Sequence, residues 1–432
     1  MQFLLLLSCL FCSILWAAPI KLTFWHSMTG EKGKLLSSLT QEFNELPENA
    51  GRFQVVPQFV GTYEEGLNKL RTALLAKQGP HVAQITDIGT QVMIDTQAVV
   101  PLQDFIDLDP SFPVSQLLPP IRRYYEVKGK LFSLPFATSN PILYYNLDAF
   151  EKVGLHRPPE TFSELKEWSR KLTDPKLKTT GLTWPLSSWF FEQFIARQGQ
   201  LLVNQDNGRG GRATEALYLT PEAIRFMNLW KEMVKEGTFS NVGRGWDPAE
   251  ANFLAGRSAM MLHSTSDVFE VVRKATFRVK TAPIPRADGV LTGGTVVGGN
   301  SLWILKDKPK EEVQASYRFV RHMASKEVQK RWHMGTGYFP IREDIIQELE
   351  KEGFYKKFPA AKTAIEQLKS SAVMPATQGA LIGVFAEARD QIESAVERIL
   401  AERMTVEDAL KRAKFQTDDS LRRYNRFLEK LK

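Results

Sequence analysis

The period of apolar and polar positions changes several times along the chain. Residues 1–20, MQFLLLLSCLFCSILWAAPI, form an apolar run, and the first charge is Lys21. Ile20-Lys21-Leu22-Thr23-Phe24 then alternates apolar and polar, the pattern of a half-buried strand. From about Thr29 the period lengthens, with Leu35, Leu36, Leu39 and Phe43 on one helical stripe, and residues 53–60 (FQVVPQFV) return to a strand pattern. Strand, helix and strand in that order predict an α/β sheet with helices on its faces.

Further elements carry their own signals. Thr161-Phe-Ser-Glu164 has capping-box spacing ahead of Leu165, Trp168 and Leu172. Thr220-Pro221 opens a helix with Phe226, Leu229, Trp230 and Met233 on one face, and Gly237 suits its end. Strand-like pieces recur at 142–145 (ILYY), 259–262 (AMML) and 301–305 (SLWIL), and 108–120, with four prolines, reads as a loop. A chain of 432 residues is long enough for two or three domains. No repeat, linker or boundary separates them, which points to interleaved lobes.

The leading apolar run is shorter than a firm membrane span and ends in small residues. It predicts a secretory signal peptide over 1–17, cleaved near Ala17 or Ala18, and hence an exported protein. An uncleaved anchor and a lipid on Cys9 are the alternatives. Cys9 and Cys12 both fall in this segment, so the mature chain has no cysteine. That excludes disulfides, thiol nucleophiles and cysteine metal sites.

Charge changes the picture less than its total suggests. Lys and Arg number 56 against 49 Asp and Glu, a net +7, but residues 411–432 alone hold eight basic and three acidic residues. Leu421, Tyr424, Leu428 and Leu431 form a stripe there, so the expectation is a docked terminal helix with a solvated basic face. Nucleic-acid binding is not indicated.

Catalytic signatures are missing. None of the six histidines shows HExxH spacing or a close His/Asp/Glu cluster, so no metal and no cofactor is expected. GxSxG, GxxxxGK[ST] and a strand-following GxGxxG are absent, and Gly208-Arg-Gly210-Gly211 reads as a polar loop.

What remains is a series of aromatic and hydroxyl-rich segments: WHSMTGEKG (25–33), GTYEEGL (61–67), PFATSNPILYYNLDAF (135–150), SAMMLHSTSD (258–267), VVGGNSLWIL (296–305) and TGYFPIRED (336–344). In this order they resemble the extracytoplasmic solute-binding proteins of ABC importers, and among these the binders of glycerol phosphate. The resemblance implies two α/β lobes joined by crossover strands, with ligand in the inter-lobe cleft. It also implies a monomer that hands a small phosphorylated polyol or glycerophosphodiester to membrane permease subunits driven by a cytoplasmic ATPase. Lobe I is expected over 18–137 and 266–308, and lobe II over 138–265 and 309–432.

The resemblance carries over residue by residue. The Tyr of a G-x-Y-E turn is Tyr63, and the acidic residue before I-G-T is Asp87, where the glycerol-phosphate binders have Glu. The Ser before the N-P-I-L-Y-Y-N strand is Ser139. The Ser after A-M falls at Ser264, with Thr265 as the alternative. Gly299 matches the G-G-x-S-L-W glycine, Tyr338 the T-G-Y-x-P tyrosine, and Arg389 the phosphate-contacting arginine. In this picture Arg389 forks onto phosphate, the serines and the Gly299 N–H satisfy the other oxygens, and Asp87 accepts from glycerol hydroxyls. Each residue also has a structural reading: a surface arginine, packing tyrosines, a turn aspartate, strand-end hydroxyls. His26 reads as structural.

One departure stands out. Trp184-Pro-Leu-Ser-Ser-Trp189 spaces its tryptophans by four residues where the glycerol-phosphate binders have two. Trp184 and Trp189 are both candidates for the cleft wall, and glycerophosphocholine, with a quaternary ammonium for an aromatic surface, becomes an option. The rival readings are a maltose-type sugar binder, which would not need Arg389, and an exported hydrolase.

Overall fold

The computed structural model describes residues 18–430. The expected signal peptide at 1–17, with Cys9, Cys12 and the cleavage point at Ala17, lies outside the described residues, as does Leu431. Among the described residues no helix is long and apolar enough to cross a membrane.

The alternating start is strand Ile20–His26, the stripe behind Thr29 is helix Gly30–Glu45, and Phe53–Phe59 is the next strand, parallel to the first. Leu36, Leu39 and Phe43 are buried by that helix, as its period requires. Val82–Thr86 adds a third parallel strand, and Gly298–Leu305 joins it antiparallel. Gly298–Leu305 pairs in turn with Val99–Val100 and with Leu134–Ser139, completing the first sheet.

The second sheet runs Phe239–Ser240, Thr180–Thr183, Ser258–Ser264, Pro141–Asn146, Val279–Ala282. Trp184, Phe190, Phe194, Phe226 and Trp230 cluster in its core, all at most 1% exposed. Burying each ring of this kind is worth roughly 1.5–3 kcal/mol. The architecture is two α/β lobes, as expected.

The chain crosses between sheets more than once. Strand Leu134–Ser139 belongs to the first sheet and Pro141–Asn146 to the second, so the first crossing is Asn140. Asn140 is fully buried: its N–H donates to Thr265 Oγ1 at 3.3 Å, and Nδ2 donates to Thr295 Oγ1 at 3.2 Å and the Ala364 carbonyl at 3.4 Å. One residue, through its backbone N–H and its side chain, thus ties segments from three other parts of the sequence to the first crossing.

Two expected boundaries move. Val279–Ala282 pairs with Pro141–Asn146, so the return to the first sheet falls between 282 and 298 and not at 266. This edge strand is short, preceded by Arg278 and interrupted by Lys280, which gives it a weak apolar signature. The other boundary, at Pro309, does not cross either. Pro309 precedes helix Lys310–Met323, which packs on Gly298–Leu305 and Ile20–His26, and Lys326–Thr336 packs on Gly30–Glu45. Only beyond these helices does the chain return, with Pro359–Lys369 against strands of the second sheet.

Local signals behave as their chemistry demands. Thr161 and Thr220 each accept a backbone N–H at the start of their helices. The terminal helix Val406–Lys430 buries Leu421, keeps Tyr424 and Leu428 half-buried, and leaves Arg422, Arg423 and Arg426 exposed.

Candidate ligand-binding site

The strand ends around the crossings enclose a cleft of about 1700 Å3. That exceeds the roughly 300–1,000 Å3 of a small-molecule pocket, so a small solute would fill only part of it. Tyr63, Asp87, Ser139, Trp189, Ser264, Gly299, Tyr338 and Arg389 all line it.

Each is held by local structure. Tyr63 opens helix Tyr63–Leu75, whose start is fixed by Thr62 and Glu65 in a capping box. Its hydroxyl accepts from Asn300 Nδ2 at 2.8 Å and lies 3.4 Å from that of Tyr338. Tyr338 follows left-handed Gly337 (φ 92°), where an added Cβ would meet the Thr265 carbonyl at 2.7 Å. Its carbonyl accepts from His333 Nδ1 at 2.6 Å, and its ring stacks on Trp332. Ser139 and Ser264 end their strands, and Ser264 Oγ accepts from the Ser266 N–H at 3.1 Å. Gly299 sits at φ 105° with an added Cβ 2.0 Å from the Ala137 carbonyl, so this backbone admits no side chain. Thr265 is fully buried against Asn140 and does not line the cleft, which leaves Ser264 as the residue there.

At one end of the cleft, Asp87 sits in the turn after Val82–Thr86, accepting from Thr86 Oγ1 at 2.9 Å. Arg389, on helix Phe385–Leu400, donates through Nε and Nη2 to both oxygens of Glu192 at 2.7 and 2.9 Å, and Nη2 lies 3.6 Å from Asp87. Burial opposes the guanidinium's charge, but Glu192 and Asp87 outweigh it and hold Arg389 protonated. Burial pushes the Asp87 and Glu192 carboxyls up, while Arg389 pulls them down. The arginine's fork is therefore already engaged by a carboxylate.

At the other end, Lys32 of helix Gly30–Glu45 donates to Asp267 at 2.5 Å and stands 5.5 Å from the Tyr338 ring centre. Burial opposes both charges; His263 and Lys32 nevertheless keep Asp267 ionised. Glu250 joins this group: single donor atoms of Glu250, His263 and Asp267 lie within 4.8 Å of one another. A His/Asp/Glu cluster therefore exists, against expectation, because helix Trp246–Leu254 packs on strand Ser258–Ser264 and brings Glu250 to residues distant in sequence.

The sequence profile of the bacterial extracellular solute-binding proteins matches residues 38–363. The chain belongs to that family. Over 418 residues it is 32% identical to the sn-glycerol-3-phosphate-binding periplasmic protein UgpB of Escherichia coli, covering 95% of this chain and 94% of the relative, with the same figures for UgpB of Salmonella typhimurium. Among solved structures, UgpB from Mycobacterium tuberculosis in complex with glycerophosphocholine superposes with a TM-score of 0.77 at 19% identity, covering 95% of this chain and 99% of that one. The sugar-binding protein MalE from Xanthomonas citri superposes equally well, at 0.77, with 18% identity and the same coverage.

In this solute-binding protein the two tryptophans divide. Trp189 lines the cleft, its ring centre 5.6 Å from that of Trp246. Trp184 does not: it is 1% exposed, packed among Phe190, Trp230 and Phe239. It directly follows strand Thr180–Thr183, and its ring joins the layer of helix Pro221–Lys235 behind the sheet. His26 is buried and its Nδ1 accepts from the Met28 N–H at 3.3 Å, a structural role.

Several cleft residues lie outside the expected set. Glu192 had a signal, a lone charge inside the apolar run SWFFEQF, as did Trp246, an aromatic in the polar loop GRGWDP. Lys32 had none, since a lysine on a helix is ordinarily solvated.

Proposed function

We propose that this chain is the periplasmic ligand-capturing component of an ABC importer. It binds sn-glycerol 3-phosphate or a glycerophosphodiester, does no chemistry of its own, and presents the ligand as a monomer to membrane permease subunits. The observation that carries this is convergence: the seven residues named by resemblance come from widely separated segments and line one cleft. Full-length similarity to the glycerol-3-phosphate binders supports the ligand class. The lobes we propose are 18–139 with 298–337, and 140–297 with 338–430.

The electrostatics favour one orientation. A phosphate against Arg389 would also face Glu192 and Asp87, two carboxylates on a single cation. Glycerol hydroxyls suit that end, donating to Asp87 and Glu192. The phosphate then belongs with the Ser139 and Ser264 hydroxyls, the Gly299 N–H and the tyrosine pair, within the field of Lys32. This reassigns Arg389 from phosphate fork to hydroxyl anchor. Trp189 and Trp246 offer an aromatic surface to a quaternary ammonium, while Asp390 and Glu393 in the same cleft are paired to Arg244. Glycerophosphocholine is therefore the better fit of the two ligands.

Calorimetric titration with glycerol 3-phosphate, glycerophosphocholine and maltose tests the reading. Binding of either glycerophosphate, strongest for the choline ester, is expected. Binding of maltose alone would leave the fold and overturn the ligand.

A further inference from the structure

The second-sheet wall of the cleft carries an imidazole that makes no hydrogen bond. His263 is 3% exposed, and neither ring nitrogen has a hydrogen-bond partner among the described residues. Nδ1 stands 3.1 Å from Asp267 Oδ2 without an aligned hydrogen bond. A buried ring with both nitrogens idle calls for an explanation.

We propose that Glu250, His263 and Asp267 bind one divalent transition-metal ion, with Zn2+ the natural fit. The donors are one imidazole nitrogen and two carboxylates, whose two negative charges match the ion, and Zn2+ takes both donor types. Their atoms already lie within 4.8 Å of one another. Around a tetrahedral ion at about 2.0–2.1 Å they would lie roughly 3.4 Å apart, so the wider separations close while His263 and Asp267, at 3.1 Å, open slightly.

The surroundings supply outer support. Lys32 holds Asp267 Oδ1 at 2.5 Å, which leaves Oδ2 toward His263, and Ser266 Oγ donates to Oδ2 at 3.2 Å. Trp246 packs edge to face on the His263 ring, with centres 5.0 Å apart, fixing its plane. All three donors line the cleft, so the remaining coordination positions face it and can take water or an oxygen of a bound solute. Lys32, Arg273 and Lys274 also face this part of the cleft, and Lys274 Nζ lies 3.5 Å from Glu250. These cations set the expected affinity in the micromolar range. The assignment does not depend on which organic solute the cleft takes.

Untagged protein, stripped with chelator and dialysed, is titrated with ZnCl2 by calorimetry at neutral pH with no glycerophosphate present. One ion per chain at micromolar Kd is expected, weakened at least tenfold in Glu250→Gln and in His263→Gln. Co2+ should give the visible bands of a tetrahedral site, lost in Glu250→Gln. No stoichiometric uptake, or unchanged affinity in both variants, overturns the site. If His263→Gln does not fold by circular dichroism, Glu250→Gln alone decides.

Discussion

Each end of the cleft is centred on a cation held by a carboxylate, yet the two ends are built differently. At one end Arg389 meets Glu192 with a planar fork in two parallel bonds and reaches toward Asp87. At the other Lys32, a point charge on a flexible stem, takes one oxygen of Asp267, while His263 stands 3.1 Å from the second oxygen and makes no hydrogen bond. Satisfied and forked, the first triad is a fixed surface against which a solute is positioned. Under-satisfied, the second cluster is where an incoming ligand or ion gains most. The same cleft thus separates a wall that defines shape from one that responds.

The largest effect should come from breaking the satisfied end. Arg389→Ala leaves Glu192 and Asp87 buried without their cation, and should lower unfolding free energy by about 3–5 kcal/mol, read from urea denaturation. Taken as a cleft residue by sequence, Arg389 should barely touch folding; its bonds to Glu192 reverse that expectation. Glu192→Gln sharpens the point, because it keeps volume and removes one negative charge. If hydroxyls occupy this end, Glu192→Gln weakens glycerophosphate binding. Should it strengthen binding, the phosphate sits on Arg389 after all.

Two tryptophans five positions apart repeat the contrast. Trp184→Ala empties a core position and should cost about 3–5 kcal/mol of stability while the folded fraction still binds ligand normally. Trp189→Ala, which removes a ring that is 7% exposed but faces the cleft, should cost less stability than Trp184→Ala and weaken glycerophosphocholine more than glycerol 3-phosphate. Equal losses of stability in both variants would erase the distinction between core and wall.

A second imidazole offers the counterpart to His263. His333 has both nitrogens engaged, with the Tyr338 carbonyl at 2.6 Å and the Tyr355 hydroxyl at 3.2 Å. Burial lowers its pKa from 6.5 to about 4, against the pull of the Tyr338 carbonyl. Unfolding restores the ordinary value, so between those limits the unfolded chain binds more protons. Stability from this group is full above 6.5 and lost as pH falls toward 4, by up to about 3 kcal/mol. His333→Asn should show a flatter decline in urea-melt stability over that window, and an unchanged slope would refute the assignment.

How far the sequence anticipated this depends on where the signal lay. Strands such as Ile20–His26 and Gly298–Leu305 were legible because their neighbours bury one or both faces and the apolar pattern records it. The edge strand Val279–Ala282 was not, since it alternates with charged, exposed positions and owes its pairing to Pro141–Asn146. Site residues in ordered motifs, Tyr63 and Tyr338 among them, all reached the cleft. Glu250 and Lys32 did not stand out, because what makes them matter is a partner on another element: His263 and Asp267. Spacing records neighbours on one element and says nothing of a contact made between elements.

The smallest effect tests the responsive end. Lys32 belongs to a helix packed on the first sheet, and Asp267 to the turn after a strand of the second, so their bond spans the cleft. Their side chains are 24% and 16% exposed, which places the pair between a surface bridge and a buried one. Lys32→Met keeps the stem and removes the charge. It should reduce anionic glycerophosphate affinity by about 1 kcal/mol, close to fivefold, at low salt. The difference should shrink as salt shortens the range of the field, which a surface of fixed hydrogen bonds would not show. Neutral solutes should bind the variant and the parent alike. Because removing Lys32 also frees Asp267 Oδ1, small-angle scattering of the ligand-free protein should show the variant at least as open as the parent. Unaltered glycerophosphate affinity at every salt concentration would place the anion outside the reach of Lys32, and with it the idea that this end of the cleft responds to charge.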